Sequence, residues 1–295
     1  MIVSTESGGL GNRIKSWVSA MRIGADARVY WPITPNMPAR FADLFANDCA
    51  VESVPPGAVE HKSWRLAVLP QDEPYLPAGF ATVGGGAHPL IRGIGKMWWI
   101  ATGRKTDRYR YMLFPKQHSR RSTRADARHI DLEYERIPPH FRTLYAELFG
   151  RIRARPEIAE RAATWARAHF DASIIGVQVR TWRDDPRRYR KYHKPSLQRL
   201  LKLLEHAGAE RRFFVVSDSD DIVPMLKAAL GASRFLEFSR TTERATSWKS
   251  APGMVEDLID MLLLARAREL FASYLSTFSE AAWWLGGARA RVAVF

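Results

Sequence analysis

The second half of the chain alternates between short apolar segments and amphipathic segments of helical length, and this alternation constrains the fold most strongly. Ile174–Val179 has the length and β-branched content of a buried strand. Strands that alternate with helices are joined by right-handed crossovers and build a parallel sheet. The pattern predicts strands at 174–179, 213–216, 235–238, 270–272 and 290–295, separated by helices at 195–206, 220–230, 255–268 and 277–285.

The N-terminal segment has the same strand, turn and helix order. Residues 1–5 are predicted to form a strand, Gly8, Gly9 and Gly11 a tight turn, residues 14–27 a helix and residues 28–31 a second strand. The glycine spacing matches neither the dinucleotide fingerprint nor a P-loop. The turn therefore has two interpretations, a simple βα connection or a site where backbone N–H groups face an anion.

Two helices are predicted between residues 141 and 170, and Pro156 would open the second, where proline is tolerated. We place the domain boundary here, which gives an N-terminal domain at 1–155 and a C-terminal domain at 156–295. The 46% hydrophobic content of the 295 residues supports a core in each. The predicted class is α/β.

The composition limits which disulfides, metal sites and membrane spans the chain can form. Cys49 is the only cysteine, so no internal disulfide can form, and no His/Cys cluster has metal-ligand spacing. No apolar stretch approaches the roughly 18 residues of a membrane span, and no leader-like segment opens the sequence. We therefore expect a cytoplasmic protein without a bound metal.

The formal charge of +14 has three competing explanations: nucleic-acid binding, contact with the inner face of an anionic membrane, and attraction of an anionic substrate. No nucleic-acid-binding motif accompanies the charge, which favours the other two. A solvated arginine-rich surface explains the composition equally well. The basic residues concentrate at 104–110, 120–124 and 187–191.

Polar residues follow the predicted strands, at the sheet edge where open α/β folds bind ligands. Arg180 follows the first strand and is suited to phosphate, or it pairs structurally with Asp184 or Asp185. Ser276 or Thr277 caps a helix and can also face a phosphate there. Ser217 is a further candidate at the end of its strand. Asp218 and Asp260 are interpreted either as helix caps or surface acids, or as acceptors of hydrogen bonds from a guanine or a ribose.

The chain carries four motifs in this order: Gly8-Gly-Leu-Gly-Asn-Arg13, Val177-Gln-Val-Arg180, Phe213-Phe-Val-Val-Ser-Asp218, and Asp257-Leu-Ile-Asp260 running to Ser276-Thr-Phe-Ser-Glu280. These motifs, in this order, resemble the fucosyltransferase superfamily of α1,2-, α1,6- and protein O-fucosyltransferases, nearest to the bacterial nodulation-type enzymes. The resemblance covers the first helix and most of residues 173–285.

The resemblance implies a GT-B-like architecture, two Rossmann-like domains facing across a cleft. It also implies transfer of fucose from GDP-fucose, with inversion and without an obligatory metal, to a hydroxyl of a glycan or lipid-linked oligosaccharide. The C-terminal domain would bind the nucleotide sugar, and the N-terminal domain would bind the acceptor. The donor-binding residues it implies are Gly11, Asn12, Arg13, Gln178, Arg180, Ser217, Asp218, Asp260, Ser276 and Thr277.

Two positions depart from the family pattern. The family often has His-Val-Arg-Arg, whereas this chain has Gln178-Val-Arg-Thr181, and a threonine cannot replace a second cation. Arg183 and Arg13 are candidates for the missing charge.

The predicted catalytic residues are Arg180, which would stabilise the leaving diphosphate, and a carboxylate base. Asp184 is preferred as the base because it follows Arg180, with Asp185, Glu6 and Glu280 as alternatives. The alternatives to fucose transfer are the same fold with another nucleotide sugar, or an inactive protein that binds nucleotides or polyanions.

Overall fold

The computed structural model describes residues 1–75, 128–130, 137–182, 185–273 and 276–295. The basic segments at 104–110 and 120–124, the candidate second cation Arg183 and the base candidate Asp184 lie outside the described residues. The chain divides into two compact units. The first contains Met1–Ser7, Asn12–Trp31 and Cys49–Leu148, and the second contains Gly8–Gly11, Pro32–Asp48 and Phe149–Phe295.

The first unit contains a parallel sheet of four strands in the order β3-β2-β1-β4. A separate antiparallel pair joins β5 to β6. Ile2, Ala20, Ile23, Ala67 and Leu69 form a core cluster in this unit. The elements are β1 (Ile2–Ser4), α1 (Leu10–Ile23), β2 (Arg28–Tyr30), β3 (Ala50–Val51), β4 (Val59–His61), β5 (Leu66–Val68), β6 (Arg128–Ile130) and α2 (Pro139–Gly150).

The predicted first helix exists with shifted bounds. It begins at Leu10 rather than residue 14 and ends at Ile23, and the residue that follows, Gly24, has a low helix propensity. The buried side chains Ile14, Trp17 and Val18 lie on the predicted apolar face. Strands β3 and β4 occupy a proline- and glycine-rich stretch to which sequence periodicity assigned no strand, since strands of two or three residues leave almost no pattern.

The second unit contains a five-stranded sheet in the order β11-β10-β7-β8-β9, and every adjacent pair is parallel. The short helix Phe41–Leu44 also belongs to this unit. Its other elements are α3 (Pro156–His169), β7 (Ile174–Val179), α4 (Lys194–His206), β8 (Arg212–Ser217), α5 (Ile222–Leu230), β9 (Phe235–Leu236), α6 (Ala251–Leu264), β10 (Glu269–Ala272), α7 (Thr277–Leu285) and β11 (Arg291–Val294).

The predicted parallel sheet and the α/β class are confirmed, and β7 and α7 have the predicted bounds. All six residues of β7 are buried, as expected for a central strand covered on both faces. Gly176 of β7 lies against the C-terminal end of helix α6 and the residues that follow it. A Cβ added at Gly176 would stand 3.0 Å from Ala267 and 3.1 Å from Leu264, so a larger side chain would crowd this contact.

Helix α6 differs from the prediction, which placed it at 255–268. It starts four residues earlier because Ser250 caps it by accepting from the Gly253 N–H group, and Pro252 fits the first turn. A π-helical turn at Tyr189–His193, which periodicity did not predict, precedes α4. Across the ranges that the structure describes, no helix combines the length and apolarity needed to cross a lipid bilayer.

Candidate functional site

Arg180 is the first residue after β7 and lies at the carboxyl edge of the five-stranded sheet. Its Nη1 lies 2.7 Å from Oδ2 of Asp218, which follows the adjacent strand β8. Its backbone N–H group donates to Ser273 Oγ, at 2.8 Å. The Arg180 side chain remains 39% exposed against 19% for Asp218, so the guanidinium is both anchored and accessible.

Among the described residues, the ion-pair partner of Arg180 is Asp218 and not Asp185, which the sequence analysis had offered as one alternative. Asp185 instead caps the short helical turn Pro186–Arg188 by accepting from the backbone N–H groups of Arg187 and Arg188. Asp218 accepts a second hydrogen bond, at 2.7 Å from the Thr181 N–H group. One carboxylate therefore fixes both the side chain of Arg180 and the backbone that follows it.

Trp182 extends this arrangement. Its backbone has a φ of 58°, and the Asp185 N–H group donates to its carbonyl at 3.0 Å. The guanidinium carbon of Arg180 lies 5.2 Å from the centroid of the Trp182 ring, and that of Arg188 lies 4.9 Å from it. Cations over an indole face at these distances are attracted by its electron density.

His193 closes the π-helical turn and is a site residue that the sequence did not reveal. The His193 ring hydrogen-bonds to the backbone of Arg180. Burial lowers its pKa, although the Asp218 carboxylate and the hydrogen bond to Arg180 act in the opposite direction. The ring is therefore neutral at neutral pH. Single-turn π-helices are frequent at functional sites, but no sequence periodicity marks them.

The hydroxyl residues after β10 organise the same edge. Ser273 Oγ donates to the Gln178 carbonyl at 3.0 Å, and Ser276 caps α7 by accepting from the Ser279 N–H group at 3.3 Å. This confirms the predicted capping role. The Ser279 hydroxyl donates to Gln178 Oε1 at 3.3 Å, so a hydrogen bond fixes the buried Gln178 amide. Ser273 and Ser279 were not among the predicted site residues.

Gly11 lies against the start of α7, within the second unit. A Cβ at Gly11 would stand 2.6 Å from the Thr277 carbonyl oxygen, so only glycine permits this approach without a backbone shift. Asn12 and Arg13 belong to the first unit. Arg13 is buried, with its guanidinium carbon 4.9 Å from the Trp31 ring centroid, and burial lowers its pKa to about 10 against the opposing charge of Glu6.

Asp260 lies within α6, fully buried, and is therefore neither the helix cap nor the surface acid that the sequence left open. Its Oδ2 accepts from Nη1 of Arg240 and Nη1 of Arg244, both at 2.5 Å. Asp257 accepts from Arg240 at 2.8 Å and from the Ser247 hydroxyl at 3.0 Å. Burial raises the pKa of Asp257 to about 6, with Arg240 opposing the shift and Asp260 adding to it.

Glu256 completes this group, which we call the α6 acid cluster: Glu256, Asp257 and Asp260 with Arg240 and Arg244. Its carboxylate accepts hydrogen bonds from the backbone and hydroxyl groups of Thr241 and Thr242. Burial alone would raise its pKa, but these hydrogen bonds outweigh burial and lower it. The cluster thus holds the segment after β9 against helix α6.

The structure brings Gln178, Arg180, Asp218, Ser276 and Thr277 to one edge of the second unit's sheet. Ser217 is buried beside them, where its Oγ accepts from the Ser219 N–H group at 3.2 Å. Of the alternative bases, Glu280 lies in the first turn of α7 and Glu6 lies in the first unit. In the part of the chain that the structure describes, no group of three or more His, Cys, Asp or Glu side chains is placed to hold a metal ion.

The GT-B class of glycosyltransferase folds is built from two α/β units, each with a parallel sheet, and comparison with solved structures supports this class. The chain is similar to the fucosyltransferase NodZ from Bradyrhizobium, with a TM-score of 0.50, 20% identity, and coverage of 95% of this chain and 90% of that chain. A structure of the NodZ alpha-1,6-fucosyltransferase soaked with GDP-fucose matches with a TM-score of 0.50 and 19% identity, covering 96% and 92%.

POFUT1 in complex with GDP-fucose is also similar, with a TM-score of 0.50 and 13% identity over 100% of this chain and 97% of that chain. No protein-family model and no curated protein sequence matches the chain. At these identities the likeness establishes the fold, and the predicted GT-B-like class is confirmed.

Proposed function

We propose that this protein is an inverting glycosyltransferase that moves fucose from GDP-fucose to a hydroxyl of a glycan acceptor. The observation that carries the proposal is the accessible, anchored Arg180 at the carboxyl edge of a parallel sheet, beside the hydroxyls that begin α7. Support comes from the fold shared with NodZ soaked with GDP-fucose and with POFUT1 in complex with GDP-fucose.

The proposed donor site lies in residues 156–295, where the diphosphate would contact Arg180. Ser276, Thr277 and the N–H groups at the start of α7 would supply further donors, since a helix N-terminus favours an anion. Gln178, Ser217 and Asp218 are proposed to lie toward the nucleoside. Asp260, fully buried between Arg240 and Arg244, would act there indirectly, by holding the segment after β9. Gly11, Asn12 and Arg13 are proposed to contribute from the N-terminal loop and helix.

Catalysis would follow from the charge that develops during transfer. As the bond between the fucosyl carbon and the phosphate oxygen breaks, negative charge grows on the diphosphate. A fixed guanidinium stabilises that charge more in the transition state than in the ground state. The acceptor hydroxyl attacks from the opposite face and gives its proton to a carboxylate. Asp184 remains our proposed base.

Residues 1–155 are proposed to bind the acceptor, a glycan or a lipid-linked oligosaccharide. The positive net charge is consistent with docking of the protein on an anionic membrane surface at the cytoplasmic face.

The test is calorimetric titration with GDP, GDP-fucose, GDP-mannose, UDP and UDP-glucose, without added metal. We expect guanine-specific binding that Arg180→Ala weakens by about 10- to 100-fold, the range for hydrogen bonds to charged groups. Arg212→Ala is the matched control. Arg212 is 37% exposed and ion-paired with Asp171 at 2.7 Å, but it starts β8 at the opposite edge of the sheet.

Equal binding of the wild type and Arg180→Ala would overturn the proposed donor site. Preference for a uridine nucleotide would point to another sugar donor, and salt-sensitive binding of any polyanion would point to an inactive binding protein. Release of GDP from GDP-fucose only when an acceptor is added would then establish transfer.

A further inference from the structure

Arg180 alone is a weak diphosphate site, because its charge is already compensated. Asp218 lies 2.7 Å from its Nη1, so the pair is neutral overall. The next residue, Thr181, is buried and carries no charge. A diphosphate carries at least two negative charges, and binding it at this edge requires a further cation within reach.

Arg188 meets this requirement in the structure. Its guanidinium contacts the same Trp182 ring as the Arg180 guanidinium, so the two cations lie on one aromatic platform. The Arg188 side chain is 56% exposed. Its ion pair, from Nε to Asp185 Oδ2 at 3.3 Å, joins two exposed side chains, and such pairs are weak enough to be exchanged for a ligand.

The backbone conformation of Trp182 is the second observation. A bulky residue with a φ of 58° is strained, and strain of this kind persists only where surrounding contacts impose it. Here the contacts are the hydrogen bonds from Thr181 N–H to Asp218 and from Asp185 N–H to the Trp182 carbonyl. They hold the indole at the edge of the sheet, within reach of both arginines.

We propose that Arg188, held on the Trp182 ring, is the second diphosphate-binding cation and supplies the charge that Thr181 cannot. The proposal rests on the proposed donor site. It also assigns Trp182 a positioning role, because the ring orients two guanidinium groups without neutralising either.

The experiment is titration of GDP and of guanosine into wild-type protein, Arg188→Gln, Arg188→Lys and Arg187→Gln. Arg187 is the matched control, an exposed arginine in the same short helical turn whose backbone N–H group also donates to Asp185. We expect Arg188→Gln to weaken GDP binding by about tenfold, Arg188→Lys to weaken it less, and guanosine binding to stay unchanged. Arg187→Gln should remain within about twofold, as expected for a rim charge.

Trp182→Leu tests the platform. It should lower GDP affinity by a similar factor, and combining it with Arg188→Gln should add little, because both changes remove the same interaction. Thermal melting identifies a variant that fails to fold, in which case the arginine variants still decide the question.

The outcomes separate the two proposals. GDP binding that depends on Arg180 but is indifferent to Arg188→Gln overturns this inference and leaves the proposed function intact. Equal losses in Arg188→Gln and Arg187→Gln also overturn it, because they indicate a general charge effect. No GDP binding by the wild type overturns the proposed function and this inference with it.

Discussion

Two of the groups of arginines and carboxylates in the second unit differ in their exposure to water. The Arg180–Asp218 pair is partly exposed at the end of β7 and β8. In the α6 acid cluster, Asp260 is fully buried between Arg240 and Arg244. The same chemistry thus forms an accessible pair that can exchange partners and a closed cluster that holds a loop. Because an uncompensated charge costs far more in the buried cluster than in the partly exposed pair, the cluster should control stability and the open pair should control binding.

The largest expected effect is that of Asp260→Ala. The change leaves two buried guanidinium groups without their shared carboxylate, which should cost about 3–5 kcal/mol of unfolding free energy. Chemical denaturation measures this, with Asp171→Ala at an exposed ion pair as a control that should change little. A loss no greater than that of the control would show that the cluster is not the closed structural element described here.

Glu256→Gln should have the next largest effect. The amide offers an N–H₂ group where Thr241 and Thr242 also present donors, so buried hydrogen bonds are lost at a cost of about 2–3 kcal/mol. Because the folded pKa of Glu256 is lowered, its contribution is present above the unfolded pKa and is lost as the pH falls. The difference in stability between wild type and Glu256→Gln should therefore shrink in acid, and a constant difference from neutral to acidic pH would contradict this assignment.

Asp257 should show the opposite pH dependence. Its folded pKa of about 6 is above the unfolded value, so its contribution is full below about pH 4 and is lost as the pH rises through 6. Relative to Asp257→Asn, the wild type should lose about 1–3 kcal/mol of stability between pH 4 and pH 7. Denaturation curves for both proteins across this range test the sign, and a wild type that gains stability relative to the variant would refute it.

The smallest expected change in stability is that of Arg180→Ala, within about 1 kcal/mol, because the ion pair is partly exposed. The same variant should show the large loss of nucleotide affinity described above. A measurement of both quantities on one preparation sharpens the comparison. A large stability loss in Arg180→Ala would place this pair in the same structural class as the α6 acid cluster.

Much of the fold could be predicted from the sequence because its signals are local. The β-branched run of β7, the apolar periodicity of α1 and the serine that begins α7 each depend on neighbouring residues. The errors at α6 have the same origin, since apolar periodicity was weighed above the cap at Ser250. The predicted domain boundary at residue 155 and the proposed site assignments remain predictions.

The sequence by itself determined that Arg180 ends a buried strand, and that such a strand delivers its charge to a sheet edge. Only the tertiary structure decided its partner, because Asp218 meets Arg180 only when β8 lies beside β7, and strand order is absent from periodicity. The tertiary structure also decided that Arg188 contacts the Trp182 ring across a turn. It likewise decided that Asp260 pairs with two arginines that follow β9. Strand and helix propensities act over a few residues, whereas contacts between charges depend on how distant segments pack.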